Sequence, residues 1–234
     1  MPGLSPLQHM YLEHMGITRW VQRSAPAGPD PGSLPDQPAA ATVVGRTIAD
    51  DPEWDRLQAE VAACTRCELH RGRTHTVFGA GDRQAKWMII GEAPGAEEDR
   101  RGEPFVGRAG QLLNSMLEAM GLERQQVFIA NILKCRPPNN RDPVAGEVAA
   151  CGSYLQKQIE MIQPSLILVL GRIAAQNLLK VDSPLGRMRG KSWDWNGIPV
   201  VVTYHPAYLL RNPADKRKTW QDLQLALSLY PGSP

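Results

Sequence analysis

Nothing in these 234 residues is apolar for long. The longest unbroken run, Leu166 to Leu170, has five residues, whereas a membrane-spanning helix needs roughly 20. Met1 to Met15 lacks the basic start and apolar core of a signal peptide, so a cytoplasmic protein is expected. An excess of charge is missing too: 26 Lys or Arg against 24 Asp or Glu leave +2, with 42% of residues hydrophobic. Those figures exclude both a bulk polycation and a disordered polyampholyte. No internal repeat is visible. The length suits one domain with an appendage, or two small domains, and is ample for a sizeable core. Cysteine is scarce, with four residues, and in a reducing compartment disulfides explain them poorly.

The near-neutral total hides an asymmetry. Residues 136–220 hold twelve Lys or Arg against six Asp or Glu, whereas residues 1–135 hold fourteen against seventeen. The basic half is either a solvated surface or a footprint for a phosphate backbone.

Residues 24–45 contain five prolines and no Lys or Arg, a composition that cannot bury enough apolar surface to offset its ordering entropy. A linker is expected over 24–49. Before it, Leu7, Met10, Tyr11, Met15 and Trp20 recur at roughly helical spacing, which predicts an amphipathic tag over residues 1–23. The folded domain is expected over 50–230. It opens with a helical pattern (Trp54, Leu57, Val61) and continues with apolar runs at Trp87 to Ile90, Val127 to Ile132, Leu166 to Leu170 and Ile198 to Thr203. These read as buried strands. Helical patterns at Ala109 to Met120, Pro143 to Ile162, Arg172 to Leu179 and Pro213 to Leu229 alternate with them. The fold class is therefore α/β, with a central, mostly parallel four-stranded sheet flanked by helices, and ligands belong beyond the carboxyl ends of its strands.

Several residues there carry chemistry. Cys64 and Cys67 form one tight knuckle, Cys135 lies just past a strand, and Cys151 follows 16 positions later. The alternative to four thiolates on one centre is a set of buried apolar cysteines. Zinc and an iron-sulfur cube both accept four thiolates, and the spacing does not choose between them. After the first strand run comes Gly91-Glu92-Ala93-Pro94-Gly95, then Pro104-Phe105-Val106-Gly107. This glycine-rich stretch lacks both the nucleotide-triphosphate loop and the dinucleotide fingerprint. Glu92 is either a surface carboxylate or the orienter of a water, and Phe105 either a core anchor or a flat face for a ring. Asn131 is a turn-former or a reader of a base edge. His205, after the last strand, is a structural group or a catalyst. Leu209-Leu210-Arg211 joins apolar wedges to a cation, as duplex-entering loops do.

Taken together, Gly91-Glu92-Ala93-Pro94-Gly95 with Pro104-Phe105-Val106-Gly107, Asn131 with Lys134-Cys135-Arg136-Pro137-Pro138, and His205-Pro206 make residues 50–230 resemble the family 4 uracil-DNA glycosylases. The resemblance implies a [4Fe-4S] cluster on Cys64, Cys67, Cys135 and Cys151. It implies that Glu92 positions or activates the attacking water, that Phe105 stacks on the flipped uracil, that Asn131 reads its polar edge and that His205 faces O2. It also sets Glu98 near C5 of the base, where thymine is excluded, and gives the Ala93 amide a contact. Family 5 lacks a polar residue at the Glu92 position. The covalently trapping relatives carry a basic loop with a reactive His, whereas Arg136 to Pro143 is short and has none, so no stable uracil adduct is expected.

Glycosidic cleavage builds negative charge on departing uracil and positive charge on the sugar, and His205 and Glu92 suit those two poles. Flipping costs a few kcal/mol, which stacking on Phe105 and insertion of Leu209 or Leu210 can offset. Arg136, Arg141, Arg189, Lys191 and Arg211 are expected to supply sequence-independent contacts to DNA, single- or double-stranded. The other reading is a noncatalytic, metal-stapled DNA- or nucleotide-binding protein, which has no chemical need for Glu92, Asn131 and His205 together. A monomer is expected. Residues 15–20 resemble the amino-terminal segment of a bacterial clamp-loader accessory subunit, which implies a replication-protein partner for residues 1–23.

Overall fold

The computed structural model describes residues 51–230. The tag expected over 1–23 and the linker over 24–49 lie outside the described residues. Helix α1 (Pro52–Ala62) starts where the Asp51 carboxylate accepts the amides of Glu53 and Trp54 at 3.1 and 3.2 Å, with proline in the first turn. That is a strong N-terminal stop, since an Asp cap satisfies otherwise orphaned donors. Its buried face is Trp54, Leu57 and Val61, and Trp54 meets Phe78 and Phe128 edge-on at 5.3 Å.

The sheet is built from β1 (Ala80–Gly81), β2 (Trp87–Gly91), β3 (Val127–Asn131), β4 (Leu166–Leu170), β5 (Ser192–Trp195) and β6 (Ile198–Thr203), in the order β1-β3-β2-β4-β6-β5. The four expected strands, β3-β2-β4-β6, are parallel. Two antiparallel edge strands, absent from the sequence expectation, extend the four to six. Strand β1 has only two residues. Strand β5 alternates in exposure and turns into β6 through Asn196-Gly197, both at positive φ, the signature of a two-residue hairpin.

Strands β2, β3 and β4 are buried at every position, because helices cover both faces. Alternate residues feed two cores. Met88, Ile90, Phe128, Ala130, Ile167, Val169, Val200 and Val202 pack towards α1 and towards α4 (Ala145–Ile162) and α5 (Arg172–Leu179). Trp87, Ile89, Val127, Ile129, Leu168 and Val201 pack towards α3 (Arg108–Ala119) and α8 (Lys216–Leu229). Three short helices were not anticipated: α2 (Ala96–Arg101), α6 (Leu185–Met188) and α7 (Pro206–Arg211). The final helix begins at Lys216 rather than Pro213, since Pro213–Asp215 forms a separate 3-10 turn.

Candidate active site

The parallel register delivers the expected residues to one edge. Gly91 is paired with Asn131 across β2 and β3, and the ladder continues past the strands through Ile132 and Leu133 amides donating to the Gly91 and Glu92 carbonyls, each at 3.0 Å. A cavity of about 400 Å³ opens there, lined by Glu92, Ala93, Glu98, Phe105, Asn131 and His205 among others. All six residues assigned to the reaction or to the base thus share one chamber.

Phe105 sits in the left-handed region at φ 52, a backbone strain of about 1–3 kcal/mol for an ordinary side chain. Its neighbourhood holds it there. Glu98 accepts the amides of Val106 and Gly107 at 2.9 and 3.0 Å through one carboxylate oxygen. Arg124 donates to the Pro104 carbonyl at 2.6 Å. A Cβ on Gly110 would stand 1.8 Å from the Phe105 carbonyl oxygen. The Phe105 ring is stacked with that of His205, 5.5 Å between centroids and 30° between planes. At Gly91 a Cβ would lie 2.4 Å from Asn131 Oδ1 and 2.7 Å from the Phe105 ring, so the bare backbone lets ring and amide converge. Asn131 is 1% exposed, and its Oδ1 has no hydrogen-bond partner. A buried, unpaired acceptor costs about 1–3 kcal/mol, which points to a donor supplied by a ligand.

His205 caps helix α7, and its Nδ1 accepts the Ala207 amide at 3.1 Å. The neutral ring therefore carries its proton on Nε2. Burial, reinforced by Arg211 and only partly opposed by Glu98, pushes its pKa down to about 4, so the imidazole is uncharged at neutral pH. Glu92 is half-buried, and burial first, then the charge of Asp142, raise its pKa to about 7, with Arg172 pulling the other way. The site holds an uncharged donor and a carboxylate poised near neutrality.

The four cysteines line a second cavity with Arg66, Arg73, His70, Lys134 and Tyr154, and none is in a disulfide. Arg73 donates to Cys135 Sγ at 3.2 Å and to the Cys64 carbonyl at 2.8 Å, while the Lys134 amide donates to Cys151 Sγ at 3.2 Å. Among the described residues, no three Cys, His, Asp or Glu side chains are grouped so as to hold a metal ion.

Residues 78–224 match the family model of the uracil DNA glycosylase superfamily. A Type-4 uracil-DNA glycosylase of Archaeoglobus fulgidus is 46% identical over 167 residues, 68% of this chain and 84% of that protein. Another, from Thermotoga maritima, is 45% identical over 178 residues, covering 74% and 92%. The chain belongs to the type-4 uracil-DNA glycosylases. A Type-5 enzyme of Pyrobaculum aerophilum is more distant, 32% identical over 146 residues, 55% of this chain.

Around the rim of the cavity the structure separates the residues expected to meet DNA. Leu209 is 1% exposed and belongs to the core, whereas Leu210 is 43% exposed. Neighbours on a helix point about 100° apart, so α7 offers one wedge. Arg189 is 12% exposed and engaged in an ion pair with the buried Asp222 at 2.8 Å, with its guanidinium over the Tyr204 ring. Lys191 stands over Trp193 on the edge hairpin and is not part of the cavity lining. Arg141 and Arg211 do line the cavity, and Arg136 donates to Asn140, another lining residue. Arg73, which donates to Cys135 Sγ, Asp142, whose charge raises the pKa of Glu92, and Tyr208, which lines the cavity, are additions to the sequence expectation; each sits on a loop or short helix whose position no periodicity reveals.

Proposed function

We propose that this protein hydrolyses the N-glycosidic bond of uracil in DNA, releasing uracil and leaving an abasic site, the first step of base-excision repair. One observation carries the assignment to residues: the buried Asn131 Oδ1, unpaired and facing the Phe105 ring across the gap left by Gly91. Uracil offers a donor at N3 and an acceptor at O4, which a side-chain amide satisfies together. With the base flipped onto Phe105, His205 donates from Nε2 to O2, where negative charge develops as the bond breaks. A neutral donor fixed by the Ala207 amide suits that task, and one such donor is worth on the order of 3 kcal/mol. Glu92, ionised above about pH 7, holds and deprotonates the water that attacks the sugar. Glu98 and the Ala93 amide border the base. Glu98 also fixes the Phe105 loop. Leu210 fills the vacated stack, and Arg136 and Arg211 meet phosphates, whereas Arg141 is held by both carboxylate oxygens of Glu147.

The four cysteines are assigned to a [4Fe-4S] cluster. Support comes from four thiols around one cavity and from N–H donors already aimed at two of the sulfurs. The cluster ties the Cys64 knuckle to β3 and α4, and hydrolysis asks no electron of it. Placement in the cytoplasm, action as a monomer and a replication-protein partner for residues 1–23 belong to the same reading. Incubation with a uracil-containing oligonucleotide, followed by alkali, tests the activity. Strand scission at uracil that disappears with Glu92→Gln and His205→Ala supports it, and intact strands with iron-replete protein refute it.

A further inference from the structure

Lys134 ends in a place where an ammonium group is unusual. The residue is 1% exposed; among the described residues no carboxylate pairs with it, and the acidic group beside it is the Cys151 thiol. Lys134 Nζ donates to the backbone carbonyl of Asn131 at 3.1 Å and to Gln158 Oε1 at 2.6 Å. Gln158, fully buried on α4, donates in turn to the Phe78 carbonyl at 2.9 Å. The Lys134 carbonyl accepts from the Val77 amide at 2.8 Å. Burying an amine is expensive, and a hydrophobic residue would fill the same space without that penalty. Of the two acceptors of Lys134 Nζ, one is the backbone oxygen of the residue whose side chain is the unpaired acceptor of the cavity.

We propose that Lys134, braced by Gln158, is a positioning residue for base recognition: it fixes the peptide after Asn131 and thereby the direction in which the Asn131 amide faces the base. This rests on the reading that Asn131 pairs with uracil. The amide oxygen has no protein partner, so the orientation of the side chain depends on the backbone that carries it and on the packing of Gly91 and Phe105. Loss of the Lys134 hydrogen bond frees the end of β3 at the one residue where a small rotation misdirects the amide.

The test is a double-mutant cycle on iron-replete, full-length protein, using single-turnover excision, inhibition by free uracil and binding to abasic-site DNA. Lys134→Met is expected to slow excision about 10- to 100-fold, the scale of an ångström-sized misplacement, and to weaken inhibition by uracil while leaving abasic-site binding unchanged. In an Asn131→Ala background, Lys134→Met should add no more than about twofold, because residues acting through one another are not additive. Gln158→Leu, which keeps the lysine but removes its brace, should show a smaller loss with the same pattern and serves if Lys134→Met does not fold. Full activity in both variants overturns the proposal. So does a loss that multiplies with Asn131→Ala, or one that weakens abasic-site binding equally. Near-normal excision by Asn131→Ala alone instead refutes the underlying reading of the site.

Discussion

On the proposed reading, Asn131 decides the base by polarity. Cytosine reverses the pattern of uracil, placing an amino group against the amide nitrogen and a lone pair against Oδ1, and such a mismatch in a buried site is strongly rejected. Asn131→Asp is expected to lose most uracil excision and to gain weak cytosine excision, since a carboxyl group can accept from the amino group and, when protonated, donate to N3. Asn131→Ala should lose uracil excision, on the order of a hundredfold or more, without the gain; paired uracil and cytosine oligonucleotides read both. Glu92 sets the pH dependence. Its carboxyl must be ionised to serve, so excision should rise with pH through about 7. Asp142→Asn, by removing a negative neighbour, should move that limb to lower pH, and Arg172→Gln should move it up. The same shift acts on stability. The folded value lies above the usual 4.5, so the folded state retains a proton that the unfolded chain has released. This contribution is complete below about 4.5 and is lost as pH rises through 7. Glu92→Gln should therefore melt higher than the parent at pH 8, by roughly 1–2 kcal/mol once solvent screening is allowed for, with the gap narrowing towards pH 5.

Helix α7 separates two jobs on adjacent residues. Leu209→Ala is expected to destabilise the fold by about 2–5 kcal/mol through the cavity it leaves, with excision following the folded fraction. Leu210→Ala should leave the melting temperature within a degree or two but weaken excision from duplex more than from single strands, because only the duplex must be held open. The sequence made the pair look equivalent, since two leucines before an arginine carry no sign of which faces inwards until the helix is placed. Elsewhere the elements were legible for clear reasons. The four parallel strands are apolar throughout because they are buried on both faces, and Glu92, Asn131 and His205 could be found by looking just past three of them. Edge strands read less well. Two residues of β1 carry no period at all, while the alternation Trp193-Asp194-Trp195 before Asn196-Gly197 is a hairpin signal in β5 only four residues long. The ion pair of Arg189 is not legible either, because a cation near a basic stretch looks like a phosphate contact, and its partner Asp222 is 33 positions away.

At the scale of the whole molecule, anaerobically purified protein is expected to be brown and to contain iron; a colourless preparation with stoichiometric zinc would reverse that assignment. Cys67→Ser should lower soluble yield and iron content before it touches the rate of the protein that does fold. Deleting residues 1–45 should leave excision of a short oligonucleotide within about twofold, as a tether that makes no contact with a small substrate contributes only effective concentration. The strand order also has a meaning in time. Strand β2 lies between β3 and β4, and β4 begins at Leu166, 75 positions after β2 ends at Gly91. At about 5–20 residues per second of synthesis, the middle strand waits roughly 4–15 seconds for its second neighbour. By then Cys151 has left the ribosome, but Thr203 and His205 have not. On the proposed assignment, a nascent chain thus presents all four cysteines before it possesses His205, so that scaffold comes ahead of reactivity.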